Sequence, residues 1–214
     1  MTQYGFYFDS TRCTGCKTCE LACKDYKDLG SNIAFRKVYD YEGGTWTDQG
    51  DGSFTQDSFA YHVSLACQHC NNPACVQVCP TGAMHKDEAT GLVNSTRDVC
   101  IGCGSCVDAC PYGVPTVDRM IGKSVKCDGC ADRVAAGLDP ICVGSCPLRA
   151  LDFGPVDELI ERHGGADVLT QGIAPMPDPS LTDPNTYVLA CPAAREPGDT
   201  TGAIANVAEV TNRG

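Results

Sequence analysis

No apolar run in the sequence approaches the roughly 20 residues that a membrane-crossing helix needs, so no direct membrane span is expected. The opening residues, Met-Thr-Gln-Tyr-Gly-Phe-Tyr-Phe-Asp-Ser, offer neither a basic segment nor the apolar stretch of a signal peptide. Read alone they point to synthesis as a soluble cytoplasmic protein, and export as a passenger on a partner stays open. Basic residues are scarce: 16 lysines and arginines stand against 27 acidic residues, a formal charge of −11. That balance disfavours nucleic acid and anionic lipid headgroups, and it suits protein partners with basic patches. Histidine occurs only at His62, His69, His85 and His163, with no His-Glu metal motif. Neither a nucleophile–base pairing nor a glycine-rich nucleotide fingerprint is present. No catalytic site of the chain's own is therefore expected.

Cysteine is what the sequence has in excess, with 17 among 214 residues. Such density marks either a disulfide scaffold or a metalloprotein. The 43% hydrophobic content includes those cysteines, so the aliphatic core is thin. Metal centres are expected to serve as the core, and the metal-free chain to fold poorly.

The spacing separates the two classes. Cys100-Ile-Gly-Cys103-Gly-Ser-Cys106-Val-Asp-Ala-Cys110-Pro111 reads C-x2-C-x2-C-x3-C-P, the ligand run of bacterial ferredoxins that hold [4Fe–4S] clusters. Small residues at Gly102, Gly104 and Ser105 let three thiolates converge, while the fourth points to a neighbouring cluster. Pro111 stops the helix that follows. Three more tetrads surround this one: Cys13, Cys16, Cys19 and Cys23; Cys67, Cys70, Cys75 and Cys79; Cys127, Cys130, Cys142 and Cys146.

Four tetrads make an internal repeat, and paired clusters exchange their fourth ligand. Tetrads two and three, joined by twenty residues that suit a short hairpin, form one pair; by elimination, tetrads one and four form the other. The expected ligand sets are Cys13, Cys16, Cys19 and Cys146 for cluster 1, and Cys127, Cys130, Cys142 and Cys23 for cluster 2. Cluster 3 takes Cys67, Cys70, Cys75 and Cys110; cluster 4 takes Cys100, Cys103, Cys106 and Cys79. Cys191 is left over, a structural or incidental thiol. Disulfides are disfavoured because x2 spacings crowd thiols toward one point. Zinc is the better competitor, since the fourth tetrad in isolation matches a four-cysteine ribbon; a zinc-stabilised interaction module is the alternative of a different class.

The expected fold class is α+β: two ferredoxin-like [4Fe–4S] pairs related by pseudo-symmetry, with a β-hairpin insertion and an extended C-terminal tail. Residues 1–33 and 111–165 carry the first pair and 67–110 the second. Residues 34–66 are the insertion, with strands at Phe35 to Tyr41 and Ser58 to Leu65. Trp46, which lies in it, reads as a packing aromatic, against a role at an interface. Tyr4 to Phe8 and Ala150 to Phe153 read as strands, and Pro155 to Arg162 as a helix. Residues 166–214, rich in proline, form an extended tail for docking, over the chain's own surface or a partner's, with a strand at Tyr187 to Ala190. His69 and His85 are candidates for tuning a cluster or lying near a quinone, against a packing role. Lys17, Lys24, Lys126 and Arg149 lie beside cluster cysteines, where positive charge favours the reduced form.

Several stretches resemble one family. Cys-Thr-Gly-Cys-Lys-Thr-Cys-Glu-Leu-Ala-Cys-Lys-Asp-Tyr-Lys-Asp at 13–28, Cys-Pro-Thr-Gly-Ala-Met-His-Lys at 79–86 and Lys-Cys-Asp-Gly-Cys-Ala-Asp-Arg-Val-Ala at 126–135 are similar to the iron–sulfur electron-transfer subunits of dimethyl sulfoxide reductases. So are Pro-Ile-Cys-Val-Gly-Ser-Cys-Pro-Leu-Arg-Ala-Leu-Asp-Phe-Gly-Pro at 140–155 and Pro-Gly-Asp-Thr-Thr-Gly at 197–202. The four-cluster pattern is shared with subunits of polysulfide, thiosulfate and nitrate reductases and formate dehydrogenases. The resemblance implies a relay in anaerobic respiration, from an integral membrane anchor subunit that oxidises quinol, such as menaquinol, to a molybdopterin catalytic subunit that reduces S- and N-oxides. It implies that cluster 1 lies toward the molybdenum subunit and clusters 3 and 4 toward the membrane. It further implies co-export with the catalytic subunit to the periplasmic face, the cytoplasmic face being the alternative.

Overall fold

A computed structural model describes residues 2–211; Met1 of the first expected segment and 212–214 of the expected tail lie outside the described residues. The chain enters through β1 (Tyr4–Asp9), an aromatic strand buried along nearly its whole length. The first tetrad leads from it into α1 (Thr18–Tyr26). Cys19 and Cys23 sit four residues apart there, so one helix face turns both thiols inward.

Strand β2 (Lys37–Gly43) comes next, then the short pair β3 (Trp46–Asp48) and β4 (Phe54–Gln56), and β5 (Phe59–Leu65) returns antiparallel to β2 from Gly43↔Phe59 to Lys37↔Leu65. The second tetrad contains α2 (Ala74–Gln77) and runs into β6 (Met84–Lys86), which pairs with β7 (Val93–Ser95). From there the same order of elements recurs. The third tetrad carries α3 (Ser105–Ala109), and the hairpin β8 (Thr116–Asp118) and β9 (Lys123–Val125) follows. The fourth tetrad spans α4 (Ala131–Ala135) and α5 (Ile141–Gly144) and ends in β10 (Leu151–Pro155). Helix α6 (Val156–Arg162) starts where β10 stops, with Asp157 and Glu158 in its first turn and Arg162 in its last, as the helix dipole favours.

Strand β10 pairs antiparallel with β1, from Tyr4↔Pro155 to Phe8↔Leu151. On the other edge of β1 the tail supplies β11 (Thr186–Leu189), in parallel register with Phe6↔Thr186. Gly5 is required for this fit, because a Cβ there would run into the Asn185 carbonyl and Val156. Further on, β12 (Gly202–Ile204) joins the free edge of β2, and α7 (Val207–Val210) follows it. The tail therefore lies on its own chain and completes both three-stranded sheets. The Asn206 amide donates to the Val38 carbonyl and accepts from Asp40 N–H, substituting for a strand partner. Tyr61 Oη donates to the Ala174 carbonyl at 2.8 Å and accepts from Arg195 N–H, clamping the tail to β5.

The main apolar core runs through Phe6, Phe8, Val38, Val63, Phe153 and Val188, and the inward cysteines are members of it. A smaller one gathers Cys75, Met84, Val93 and Cys106. Thiols thus occupy core volume that aliphatic residues fill elsewhere. The hairpin β8–β9, which its sequence position groups with the first pair, packs on the third tetrad through Ser124. Trp46 does not pack: it is 70% exposed beside an exposed Phe54. No helix among the described residues is long and apolar enough to cross a membrane.

Leu159, fully buried on α6 beside Gly154 of β10, and Val156, buried beside Gly5 of β1, pack that helix on the sheet. Leu159→Ala is expected to cost about 2–5 kcal/mol, read as a lowered denaturation midpoint of the metal-loaded protein; an unmoved midpoint would show that the Leu159 side chain contributes nothing to the core.

Candidate metal centres

Four cysteine groups form, each from two distant tetrads. Cys13, Cys16 and Cys19 curl out of β1 and α1, and with Cys146, beyond α5, they line one hollow floored by Phe8, Val38 and Leu151. Cys100, Cys103 and Cys106 curl into α3 and share a second hollow with Cys79 and Met84. Cys23, on the last turn of α1, faces Cys127, Cys142 and Cys130. Cys75 faces Cys67, Cys110 and Cys70. Cys16 and Cys103 are the exposed cysteines; the rest are buried or half-buried.

Local backbone geometry makes the convergence possible. Gly102 sits at φ +69° and Gly104 at φ +82°, turns that let the third tetrad fold around a centre. Amide N–H groups then point at sulfur. Gly102 and Ser124 donate to Cys100 Sγ at 3.4 Å, Gly129 to Cys127 Sγ at 3.4 Å, Ala150 to Cys146 Sγ at 3.3 Å and Met84 to Cys79 Sγ at 3.3 Å. Hydroxyls do the same: Ser64 Oγ lies 3.4 Å from Cys19 Sγ, and Ser124 Oγ lies 3.2 Å from Cys106 Sγ. Donors of this kind stabilise anionic sulfur and tune the potential of a bound iron–sulfur group.

Burial is the first cause of the raised thiol pKa values, and neighbouring sulfurs add to it. Cys13 is pushed up to about 11, Cys70 and Cys75 to about 12, and Cys130 to about 11; Cys23 is raised further by Cys127 and Cys142. The Thr18 and Ser105 hydroxyls hold exposed Cys16 and Cys103 below the ordinary thiol value. Burial thus favours the protonated form of these five thiols, and a bound cation must displace their protons. Among the described residues no three Cys, His, Asp or Glu side chains gather tightly enough to hold a single ion. The first and fourth groups each surround a hollow, whereas tetrahedral zinc needs four sulfurs about 2.3 Å from one point. An all-sulfur donor set, ringed by N–H donors around a shared space, fits an iron–sulfur cluster.

The other candidate residues divide. Lys126 is buried, with Nζ donating to the carbonyls of Val93 and Cys127, and it lies near Cys75. Lys17 pairs instead with Asp40 and Glu209. Lys24 donates to the Gly30 and Ile33 carbonyls at 2.6 Å, and Arg149 to the Cys146 carbonyl at 2.9 Å. His69 is fully buried; its Nδ1 accepts from Val93 N–H at 3.0 Å, so Nε2 carries the proton of the neutral ring. That Nε2 makes no hydrogen bond of normal length, and the sulfur it faces is that of Cys127. His85 Nδ1 lies 3.1 Å from the Ala83 carbonyl. Cys191 packs on the main core, its N–H donating to Ser10 Oγ at 2.7 Å. Sequence patterning missed Ser64, Ser124 and Arg36. The one signal for Arg36 was a basic residue amid the apolar alternation of Phe35 to Tyr41.

A Cβ at Gly102 would collide with the backbone carbonyl of Gly122, whereas one at Gly104 meets open space. Gly104→Ala should therefore cost roughly the 1–2 kcal/mol of a left-handed non-glycine residue, and Gly102→Ala distinctly more. Equal denaturation midpoints for the two variants would contradict the close approach of this turn to the β8–β9 turn.

Two family models match the chain: a 4Fe-4S dicluster domain over residues 58–156 and a 4Fe-4S binding domain over residues 10–27. Between them they overlie all four tetrads. Among curated proteins, the chain is 56% identical to the B polypeptide of the anaerobic dimethyl sulfoxide reductase of Haemophilus influenzae, over 98% of this chain and 100% of the relative. It is 55% identical to the Escherichia coli protein of the same name, over 98% of this chain and 99% of the relative. The thiosulfate reductase electron transfer subunit of Salmonella typhi is 41% identical over 73% of this chain and 78% of the relative. With end-to-end identity above one half and cluster-binding models laid over its cysteine groups, the chain belongs to the family of iron–sulfur electron-transfer subunits of anaerobic dimethyl sulfoxide reductases.

Proposed function

We propose that this chain is the electron-transfer subunit of a dimethyl sulfoxide reductase, relaying electrons one at a time from a membrane anchor subunit that oxidises quinol to a molybdopterin catalytic subunit that reduces dimethyl sulfoxide and related S- and N-oxides. Four [4Fe–4S] clusters would be held by the sets Cys13, Cys16, Cys19, Cys146; Cys127, Cys130, Cys142, Cys23; Cys67, Cys70, Cys75, Cys110; and Cys100, Cys103, Cys106, Cys79. Bound there, each cluster supplies one-electron storage without proton transfer. The thiols fix it, and the amide and hydroxyl donors around the sulfurs bias it toward the reduced form.

The observation that carries the proposal is the placement of the exposed cysteines. Cys16 belongs to the first group and Cys103 to the fourth, while the second group is buried throughout and the third is buried except for half-buried Cys110. The groups are also neighbours in order. Tetrads one and four contribute to the first two groups, Lys126 stands between Cys127 of the second and Cys75 of the third, and α2 packs on α3 between the third and fourth. A relay needs this arrangement: two accessible ends and a shielded middle. The recurring element order supports two ferredoxin-like halves related by pseudo-symmetry, with the β2–β5 hairpin as the enlarged counterpart of β8–β9.

The docking of the first group on the molybdenum subunit and the fourth toward the anchor follows the family, as does a location on the periplasmic face of the membrane. Higher identity and coverage favour the dimethyl sulfoxide reductase branch over the thiosulfate reductase one. Turnover of the intact complex with dimethyl sulfoxide, and not with thiosulfate or formate, is the expected outcome.

Metal analysis of the anaerobically purified protein should give about sixteen irons per chain, four for each four-iron cluster, with matching acid-labile sulfide and only trace zinc. A thiol reagent should then modify Cys191 alone, and all 17 cysteines after chelation and denaturation. A zinc-rich, colourless protein would sink the cluster assignment, and rapid labelling of any tetrad cysteine in the loaded protein would remove that residue from its ligand set.

A further inference from the structure

Arg36 enters the interior just ahead of β2 and is only 2% exposed. Its NH1 donates to the Ser64 carbonyl at 3.3 Å and to Ser64 Oγ at 3.1 Å. Nε and NH2 are fully enclosed and have no hydrogen-bond partner among the described residues. The guanidinium lies over the Phe6 ring, 4.9 Å from its centroid, which closes one side with apolar surface. A buried cation in such a place is costly unless an anion faces it. The groups that face Arg36 are thiols: Cys19 of the first group, and Cys23, Cys127 and Cys142 of the second. Burial works against its charge, yet a guanidinium stays protonated at any accessible pH, so its charge calls for an anion among these sulfurs. A direct polar path leads to one of them, from Arg36 NH1 through Ser64 Oγ to Cys19 Sγ, in steps of 3.1 and 3.4 Å. Lys126, the other buried cation near the cysteines, already donates to two carbonyls and serves the boundary between the second and third groups.

We propose that Arg36 is the buried counter-charge shared by the first two cluster sites, with its free Nε and NH2 donors directed to their anionic sulfur, and that it raises the reduction potential of both. The inference rests on the ligand assignment proposed above. Reduction at either site adds one electron, delivered through the relay from the quinol-oxidising subunit. No proton moves with it, because the arginine is protonated in both redox states. The added negative charge beside a fixed positive one favours the reduced form at these two sites, and sites three and four lie outside its contacts. Arg36 is thus a positioning residue for charge and touches no substrate.

Redox titration followed by electron paramagnetic resonance, on the full chain in its complex, tests this with Arg36→Gln and Arg36→Lys. Arg36→Gln should shift the one-electron equilibrium at the first two sites tenfold or more against reduction, which is about 59 mV downward for each factor of ten. Sites three and four should not move, and Arg36→Lys should restore most of the shift. Loss of iron from the first two sites in Arg36→Gln but not in Arg36→Lys also supports the proposal, since it shows that those sites need the charge. Full iron content with all four potentials unchanged overturns it, as does an equal shift at all four sites. Equal loss of iron in both variants overturns it too, by showing a role in packing. Iron content of the unsubstituted protein tests the ligand assignment separately, so the two failures are distinguishable.

Discussion

Sixteen thiols gathered into four groups within one small chain repel one another once deprotonated, and most of them occupy volume that a hydrophobic core would otherwise fill. The remaining structure is a response to that constraint. The strands are short, and they sit where they can point amide N–H groups and serine hydroxyls at sulfur, as Ser64 on β5 and Ser124 on β9 do. The helices are mostly single turns whose task is to place cysteines toward the interior, and α1 does this for Cys19 and Cys23 on one face. Aromatic residues of β1 and β10, Tyr4, Phe6 and Phe153, meet at tilted angles in the main apolar core and tie the strand before the first tetrad to the strand after the fourth.

The proposed exchange of the fourth cysteine would give this arrangement its stability and its direction. Cys23 faces cysteines of the fourth tetrad and Cys146 lies with those of the first, while Cys79 lies with the third and Cys110 faces the second, so under the proposed assignment no tetrad would close a site by itself. Binding at the first two sites would therefore order segments more than a hundred residues apart in sequence, the long-range closure that a thin core cannot supply. The tail finishes the work by adding β11 and β12 to the free edges of the two larger sheets. Covered edges matter here, because an open strand beside β1 would be a template for association.

Much of this was legible in the sequence, and the division has a physical reason. Cysteine spacing is a local property: x2 and x3 gaps fix how thiols can converge, so the four tetrads and their iron–sulfur character could be read directly. Strands at Tyr4 to Phe8 and Tyr187 to Ala190 were visible from β-branched and aromatic residues. Their parallel pairing was not, since it depends on where 166–185 carries the chain. Trp46 reads as a core aromatic by type but stands exposed at the β3 end of a projecting hairpin. Arg36, Ser64 and Ser124 acquire their roles only from tertiary placement. No spacing rule joins a basic residue at 36 to cysteines at 127 and 142.

Four cluster sites in line, closed by exchanged cysteines and reaching the surface at Cys16 and Cys103, would make this chain a conductor between two partners. The most direct test is a crystal structure of the intact complex with anomalous scattering collected at the iron edge. Four separate four-iron peaks are expected, in the order of the groups, with Cys146 bound at the first, Cys23 at the second, Cys110 at the third and Cys79 at the fourth. Single-atom peaks, fewer than four sites, or any site closed by four cysteines of one tetrad would contradict that arrangement.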